Sequence, residues 1–322
     1  MRQVFVPALQ REVSCIAFGC ASLVSRVSEA DGVRAIGRAL DRGVTWFDVA
    51  PPYGDGHAEQ LLGKSLGARR RDVVICSKFG ISRPNVSFAA QVLRPLARHA
   101  VSLMPGLRQV ARRSRDTGEV VGIQPAEIET WLDESLRRLG TDYLDVFAFH
   151  DPSPTTAASE ETHAALQALV AKGKLRAVSI AGPLAAISAA AEAGRQPDVV
   201  QFRESPFMGA ADAVRKLPWA REPLLSTHGV IGSGALERIR GFDAAKRARL
   251  EAFARRWGIA SDRWEPESLM RFAFANNPTG LVLCSMFAER HLEANVAVAA
   301  WQPDPRYAKE FLEILTDGGN NA

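Results

Sequence analysis

Short apolar runs alternate with helix-patterned stretches along the chain. Residues 15–18, 44–47, 73–77, 143–149, 175–180, 199–202, 224–227 and 281–284 are mostly apolar on both faces, as buried parallel strands are. Helical sequence follows each of them. Ser28, with Asp31 three residues on, predicts a helix start; Val33, Ile36 and Leu40 are expected on its buried face, and Gly43 closes it. Residues 58–66 and 160–172 predict two further helices. Pro125 opens another, with Ile128, Trp131, Leu132, Ser135, Leu136 and Leu139 along one face and Gly140 at its end. Eight strand–helix repeats without a compositional break predict an α/β fold: one (β/α)8 TIM barrel over residues 1–322, rather than a doubly wound sheet. Residues 4–7 and 12–14 read as an N-terminal β-hairpin that plugs the barrel floor, and residues 81–124 as a long insertion after the third barrel strand.

With 47% hydrophobic and 24% charged residues, the chain can bury a sizeable core and is not a disordered sequence. No apolar run is long enough for a membrane span, and the first residues lack the charged-then-apolar pattern of a signal peptide, so a cytoplasmic location without membrane contact is expected. The four cysteines (Cys15, Cys20, Cys76, Cys284) lack metal-ligand spacing and predict reduced thiols, with no metal site. A balance of 40 basic against 36 acidic residues, without a recognition motif, points away from nucleic acid. The positive charge is uneven: Arg83, Arg94, Arg98, Arg108, Arg112, Arg113 and Arg115 occupy a stretch with no acid. That stretch reads either as a solvated insertion or as a basic lid that attracts an anionic substrate or cofactor phosphates.

Polar side chains at the C-terminal ends of barrel strands are where such a fold places its chemistry. Asp48 ends the second strand, Lys78 the third and His150 the fourth, and Tyr53 lies in the Pro- and Gly-rich loop just after Asp48. Taken singly, each has an ordinary role: a turn cap, a loop aromatic, a surface lysine, a core histidine. Together they form a proton-transfer group. Tyrosine is a poor acid, with a reference pKa of about 10, and an adjacent ammonium is expected to lower it by about 1–3. Asp48 would hold that ammonium in place, and His150 would orient a carbonyl oxygen or relay the proton.

Gly43-Val44-Thr45-Trp46-Phe47-Asp48-Val49-Ala50, then Tyr53-Gly54, Glu59 and Leu62-Gly63, resemble the motif of the aldo-keto reductases. Ser77-Lys78, and Leu139-Gly140-Thr141-Asp142-Tyr143-Leu144-Asp145 leading to His150-Asp151-Pro152, resemble the same family, from Gly19 to Asn295. The resemblance implies a carbonyl–alcohol oxidoreductase acting on a small-molecule carbonyl, with NADP(H) favoured over NAD(H) and bound without a Rossmann domain. It also implies cofactor contacts from Gly19, Gln201 (carboxamide), His228 (ring stacking), Ser285 and His291 (2′-phosphate) and Asn295 (adenine). Two departures stand out. Ala181-Gly182 occupies the place of a Ser-Asn pair, and His228 that of a stacking tyrosine. They leave open two alternatives: a cofactor-binding sensor or regulatory barrel with little turnover, and a sugar dehydrogenase working toward oxidation. Trp46, Phe79, Phe88, Phe207 and Trp219 are candidates for pocket walls, with core packing as the competing role. Substrate, direction and oligomeric state are not fixed by the sequence.

Overall fold

The computed structural model describes residues 1–82, 123–232, 234–260 and 262–317. Strands β1 (Gln3–Val6) and β2 (Arg11–Ser14) pair antiparallel and lead into β3 (Ile16–Gly19), the first barrel strand. There follow α1 (Glu29–Asp41), β4 (Trp46–Asp48), α2 (Ala58–Leu66), β5 (Val74–Phe79), α3 (Ile128–Leu139), β6 (Leu144–His150), α4 (Pro154–Ala157) and α5 (Glu160–Ala171). Then come β7 (Leu175–Ala181), α6 (Leu184–Glu192), β8 (Val199–Arg203), α7 (Ala210–Arg215), β9 (Leu224–His228), α8 (Ala235–Arg240), α9 (Ala244–Arg256), α10 (Trp264–Asn276), β10 (Leu281–Cys284), α11 (Glu289–Ala299) and α12 (Pro305–Thr316). Strands β3 to β10 close into a parallel barrel in chain order, with β10 paired to both β9 and β3. The (β/α)8 architecture and its N-terminal hairpin are therefore as the hydrophobic pattern predicts. The chain between β5 and Pro125 contains the predicted insertion, whose seven arginines and Phe88 lie outside the described residues.

The strands begin where the apolar pattern places them, within two residues, but most run further at their C-terminal ends. Their extra residues include Asp48, Lys78, His150, Arg203 and His228. Polarity hides these positions from a hydrophobic count, whereas the backbone ladder carries through them.

The hairpin sits at the opposite, N-terminal end. Val6 and Val13 are fully buried. Ser14 and Thr45 exchange backbone-to-side-chain hydrogen bonds of 2.8 and 2.9 Å, tying the hairpin to the start of β4. On α1, Ser28 caps the helix through Asp31 N–H as expected, but Val33 is 43% exposed. The buried stripe is Gly32, Ala35, Ile36, Ala39 and Leu40; Val33, about 100° around from Gly32, falls on its flank. On α3 the predicted face is buried, with Trp131 half-buried, and Gly140 ends the helix in the left-handed conformation.

Two parts of the aldo-keto-reductase-like motif are structural clamps. Buried Asp145 accepts the Ile75 N–H (3.0 Å) and pairs with Arg70 (2.8 Å) and Arg176 (3.3 Å). The Tyr143 ring lies between those two guanidinium groups, 4.3 and 4.0 Å from its centroid. Outside the barrel, buried Glu59 on α2 accepts from Ser77 Oγ on β5 (2.6 Å) and from Arg138 Nε on α3 (2.5 Å). Gly63 lets α2 approach α3 closely: a Cβ there would stand 2.0 Å from the Leu139 carbonyl oxygen.

Candidate active site

Strand register brings the four sequence-predicted residues to one mouth. Asp48 lies opposite Cys76, and period-two alternation points Cys76 and Lys78 to the same side of β5. The Lys78 ammonium reaches Asp48 Oδ1 at 2.5 Å, the Val49 carbonyl at 3.3 Å and Tyr53 Oη at 3.5 Å. Asp48 and Lys78 are almost wholly buried (2% and 1% exposed), while Tyr53 and His150 are half-buried and so accessible to a ligand. The His150 ring stands edge-on to Tyr53, 6.0 Å between centroids at 88°. Gly54 (φ +57°) holds the Tyr53 loop against the chain at Leu23, where a Cβ would lie 2.5 Å from the Leu23 carbonyl oxygen.

Burial dominates the electrostatics. It works against the Lys78 charge, but the Asp48 carboxylate more than offsets it and holds the ammonium charged well above the usual lysine range. Burial likewise pushes the Asp48 carboxyl up, opposed by Lys78 and by the bordering Cys76 and Gln201 side chains. The strengthened lysine charge makes the contact an ion pair at neutral pH. Tyr53 departs from expectation: burial pushes its phenol up to about 12, and Lys78 only partly counters this. The lowered tyrosine pKa predicted from the lysine's presence is thus corrected, because desolvation of the phenolate outweighs a single ammonium already shared with Asp48. His150 is pushed down to about 3 by burial, Lys78 and His228, and His228 to about 4 by burial, Lys78 and Arg203. Both imidazoles are neutral at physiological pH.

The remaining predicted contacts are distributed around the same rim. Gln201 (6% exposed) sits on β8 beside Asp48, and half-buried His228 ends β9. Gly19 lies opposite Asp48 in the β3–β4 register, and a Cβ on it would make only ordinary contacts with Leu283 and the Cys284 carbonyl at 3.5 Å. Ser285 and His291 are exposed at the entry to α11, and Asn295 is half-buried along that helix. Gly182 has a steric cause: a Cβ there would meet Pro152 Cδ at 3.2 Å and Asp151 Cα at 3.3 Å. The Asp151-Pro152 turn, with Asp151 at φ +48° and its N–H bonded to the Ala181 carbonyl (2.7 Å), fills the space a larger side chain would need. Of the described wall candidates, Trp46 and Phe79 are core residues, and Trp219 packs on the smaller cluster around α6 and α7. Half-buried Phe207 follows β8, with Arg238 over its ring at 4.2 Å.

Two charged rim residues escaped the sequence reading, Arg203 at the tip of β8 and Arg290 beside His291 (Nε to Nε2, 3.4 Å), and Asp151 beyond His150 was read only as part of a motif. Arg203 lies two residues past Gln201 on one strand, a period-two signal that was there to be read. Among the described residues no group of three or more His, Cys, Asp or Glu could hold a metal, and no helix is long and apolar enough to cross a membrane.

The chain was compared with known proteins. It is 30% identical over 154 residues to an aldo-keto reductase of Bacillus subtilis (47% of this chain, 37% of that one). It is 29% identical over 179 residues to L-galactose dehydrogenase of Arabidopsis thaliana (53% and 45%), so the matches span under half the length of these relatives. It is also 33% identical over 144 residues to 6-dehydroglucose reductase of Agrobacterium fabrum (44% and 40%). In fold it resembles the glycerol dehydrogenase of Gluconobacter oxydans, with a TM-score of 0.71 at 19% identity over 99% of this chain and 97% of that one. The holo form of an aldo-keto reductase from Bacillus halodurans gives 0.69 at 20% identity over 97% and 95%. The model of the aldo/keto reductase family matches residues 15–314, which takes in every barrel strand and the whole mouth, and the chain belongs to that oxidoreductase family.

Proposed function

We propose that this protein is an NAD(P)(H)-dependent reductase that converts an aldehyde or ketone to its alcohol, with Tyr53 as the proton donor. One observation carries the reading: an accessible phenol stands 3.5 Å from an ammonium that a buried carboxylate grips at 2.5 Å. A bound nicotinamide dinucleotide supplies the hydride at its C4. The chain's own residues do the rest. Tyr53, protonated at neutral pH, donates to the carbonyl oxygen as negative charge develops there, and Lys78 stabilises the resulting phenolate. Neutral His150, with its proton on Nε2, donates to the carbonyl oxygen and orients it. Asp48 keeps Lys78 charged and in place. A phenol pushed up to about 12 is almost wholly protonated at neutral pH, which keeps Tyr53 in the form that carbonyl reduction requires.

The rim suits the cofactor's chemistry. A neutral amide (Gln201) and a neutral imidazole (His228) match the carboxamide and ring. The exposed first turn of α11 carries Arg290 and His291 beside Ser285; a helix N-terminus with a permanent cation favours a 2′-phosphate, hence NADP(H) over NAD(H). Sugar carbonyls are a candidate class, after the names of the Arabidopsis and Agrobacterium relatives. The test is fluorescence titration with NADPH and NADH, followed by a panel of aldehydes, ketones and sugars. Turnover with tighter NADPH binding is expected. Tight binding with no turnover on any of them would refute the reductase and favour a sensor.

A further inference from the structure

Gln201 and Arg203 leave β8 on the same side, because they are two residues apart on one strand. That is the side on which Gln201 borders Asp48, whereas Val200 and Phe202 pack outward with Ile187 and Val214. Arg203 therefore rises over the mouth as the last residue of β8, in register with His228 at the tip of β9. Its guanidinium acts electrostatically on His228 to one side and on Asp151, past the end of β6, on the other. It is exposed, and among the described residues it makes no hydrogen bond or ion pair. The other cation of the mouth, Lys78, is already met by Asp48 at 2.5 Å. The two imidazoles between them are neutral. Among the described cations of the mouth, Arg203 is thus the one that no hydrogen bond or ion pair engages, Asp151 acting on it only from beyond ion-pair distance; it is a planar fork of donors facing the space where reactants must lie.

We propose that Arg203 is an oxyanion receptor of this site, and that the preferred carbonyl substrates carry a carboxylate or phosphate. A guanidinium binds either group through two parallel, charge-assisted hydrogen bonds that a neutral analogue cannot form. The inference rests on the reductase reading for the substrate's identity. The same fork would also accept a phosphate of the cofactor, and the experiment separates the two sources.

Wild type and Arg203→Gln are assayed with succinic semialdehyde and with butanal, its neutral counterpart, and NADPH binding is titrated by fluorescence for both proteins. Arg203 has no partner among the described residues to lose, so the variant should fold, and Arg203→Lys, which keeps the charge, should recover part of any loss. The expected result is a tenfold or greater fall in the ratio of kcat/KM for the carboxylated over the neutral aldehyde, with a little-changed NADPH Kd. A tenfold weaker NADPH complex with an unchanged ratio would overturn the substrate assignment and give Arg203's anion to the cofactor. Changes below threefold in both quantities would overturn the receptor itself. If wild type reduces neither aldehyde, the reductase reading fails for these substrates in its own right, and the NADPH titration alone decides Arg203 by the same limits.

Discussion

Replacing Tyr53 with phenylalanine removes one oxygen and separates chemistry from stability. Among the described residues that oxygen accepts a single long hydrogen bond, 3.5 Å, from Lys78. Once it is gone, the ammonium keeps Asp48 at 2.5 Å and the Val49 carbonyl at 3.3 Å, so no buried charge is left without a partner. The stability cost is that of one ordinary hydrogen bond, about 0.5–1.5 kcal/mol, and the length of the contact argues for the lower end. The catalytic cost is larger: loss of a positioned general acid lowers turnover by about 10²- to 10⁴-fold, or about 2.7–5.4 kcal/mol of barrier at 1.36 per factor of ten. The assay pairs kcat for carbonyl reduction under saturating NADPH with urea unfolding of the same preparation. Cofactor affinity should change little. A kcat within tenfold of wild type would refute Tyr53 as the acid, and a stability loss above about 3 kcal/mol would recast the residue as structural.

Carbonyl reduction should be level between about pH 5 and 9, since His150 (about 3), His228 (about 4) and Tyr53 (about 12) each keep one protonation state there; an inflection near 6.5 in kcat/KM would contradict this. The same histidines make the fold acid-sensitive. The unfolded chain takes up their protons near 6.5 and the folded one only near 3–4, so stability present above 6.5 is lost as the pH falls. The urea midpoint should drop from pH 7 to pH 5, and less so in His150→Gln. Lys78→Met should cost about 3–5 kcal/mol by stranding the buried Asp48 carboxylate, and adding Asp48→Asn should restore part of it; an additive double variant would deny the coupling. Gly63→Ala should lower the melting temperature, by about 1–3 kcal/mol of overpacking against Leu139. Gly37→Ala, which meets nothing within 4 Å inside α1, should raise it through about 0.5–1 kcal/mol of added stability; equal effects would undo the packing argument.

The barrel was legible because a parallel strand buried on both faces has no polar alternation to confuse it: residues 73–77 and 281–284 announce themselves by composition. Asp48, Lys78 and His150 were legible because they interrupt that pattern at its end. What escaped was environmental. The rise of the Tyr53 phenol depends on how deeply the loop is pressed in, a quantity with no trace in residue spacing. The exposure of Val33 turned on helix phase, since a stripe of Gly and Ala offers little hydrophobic signal to fix it. Arg203 was overlooked as a charge at a strand tip, although its partner in alternation, Gln201, had been singled out. Gly182 read as a missing ligand contact; the adjoining Asp151-Pro152 turn supplies its physical reason.

The Glu59–Ser77–Arg138 network lies on the far side of the wall from the reaction, yet Ser77 immediately precedes Lys78. A displacement of α3 would bear on the ammonium through Glu59, Ser77 and β5. Accuracy at the mouth is therefore a property of the outer jacket of helices as well as of the rim. Loss of Arg138, a helix residue remote from any reactant, would strand the buried Glu59 carboxylate, so slower turnover should come together with lower stability.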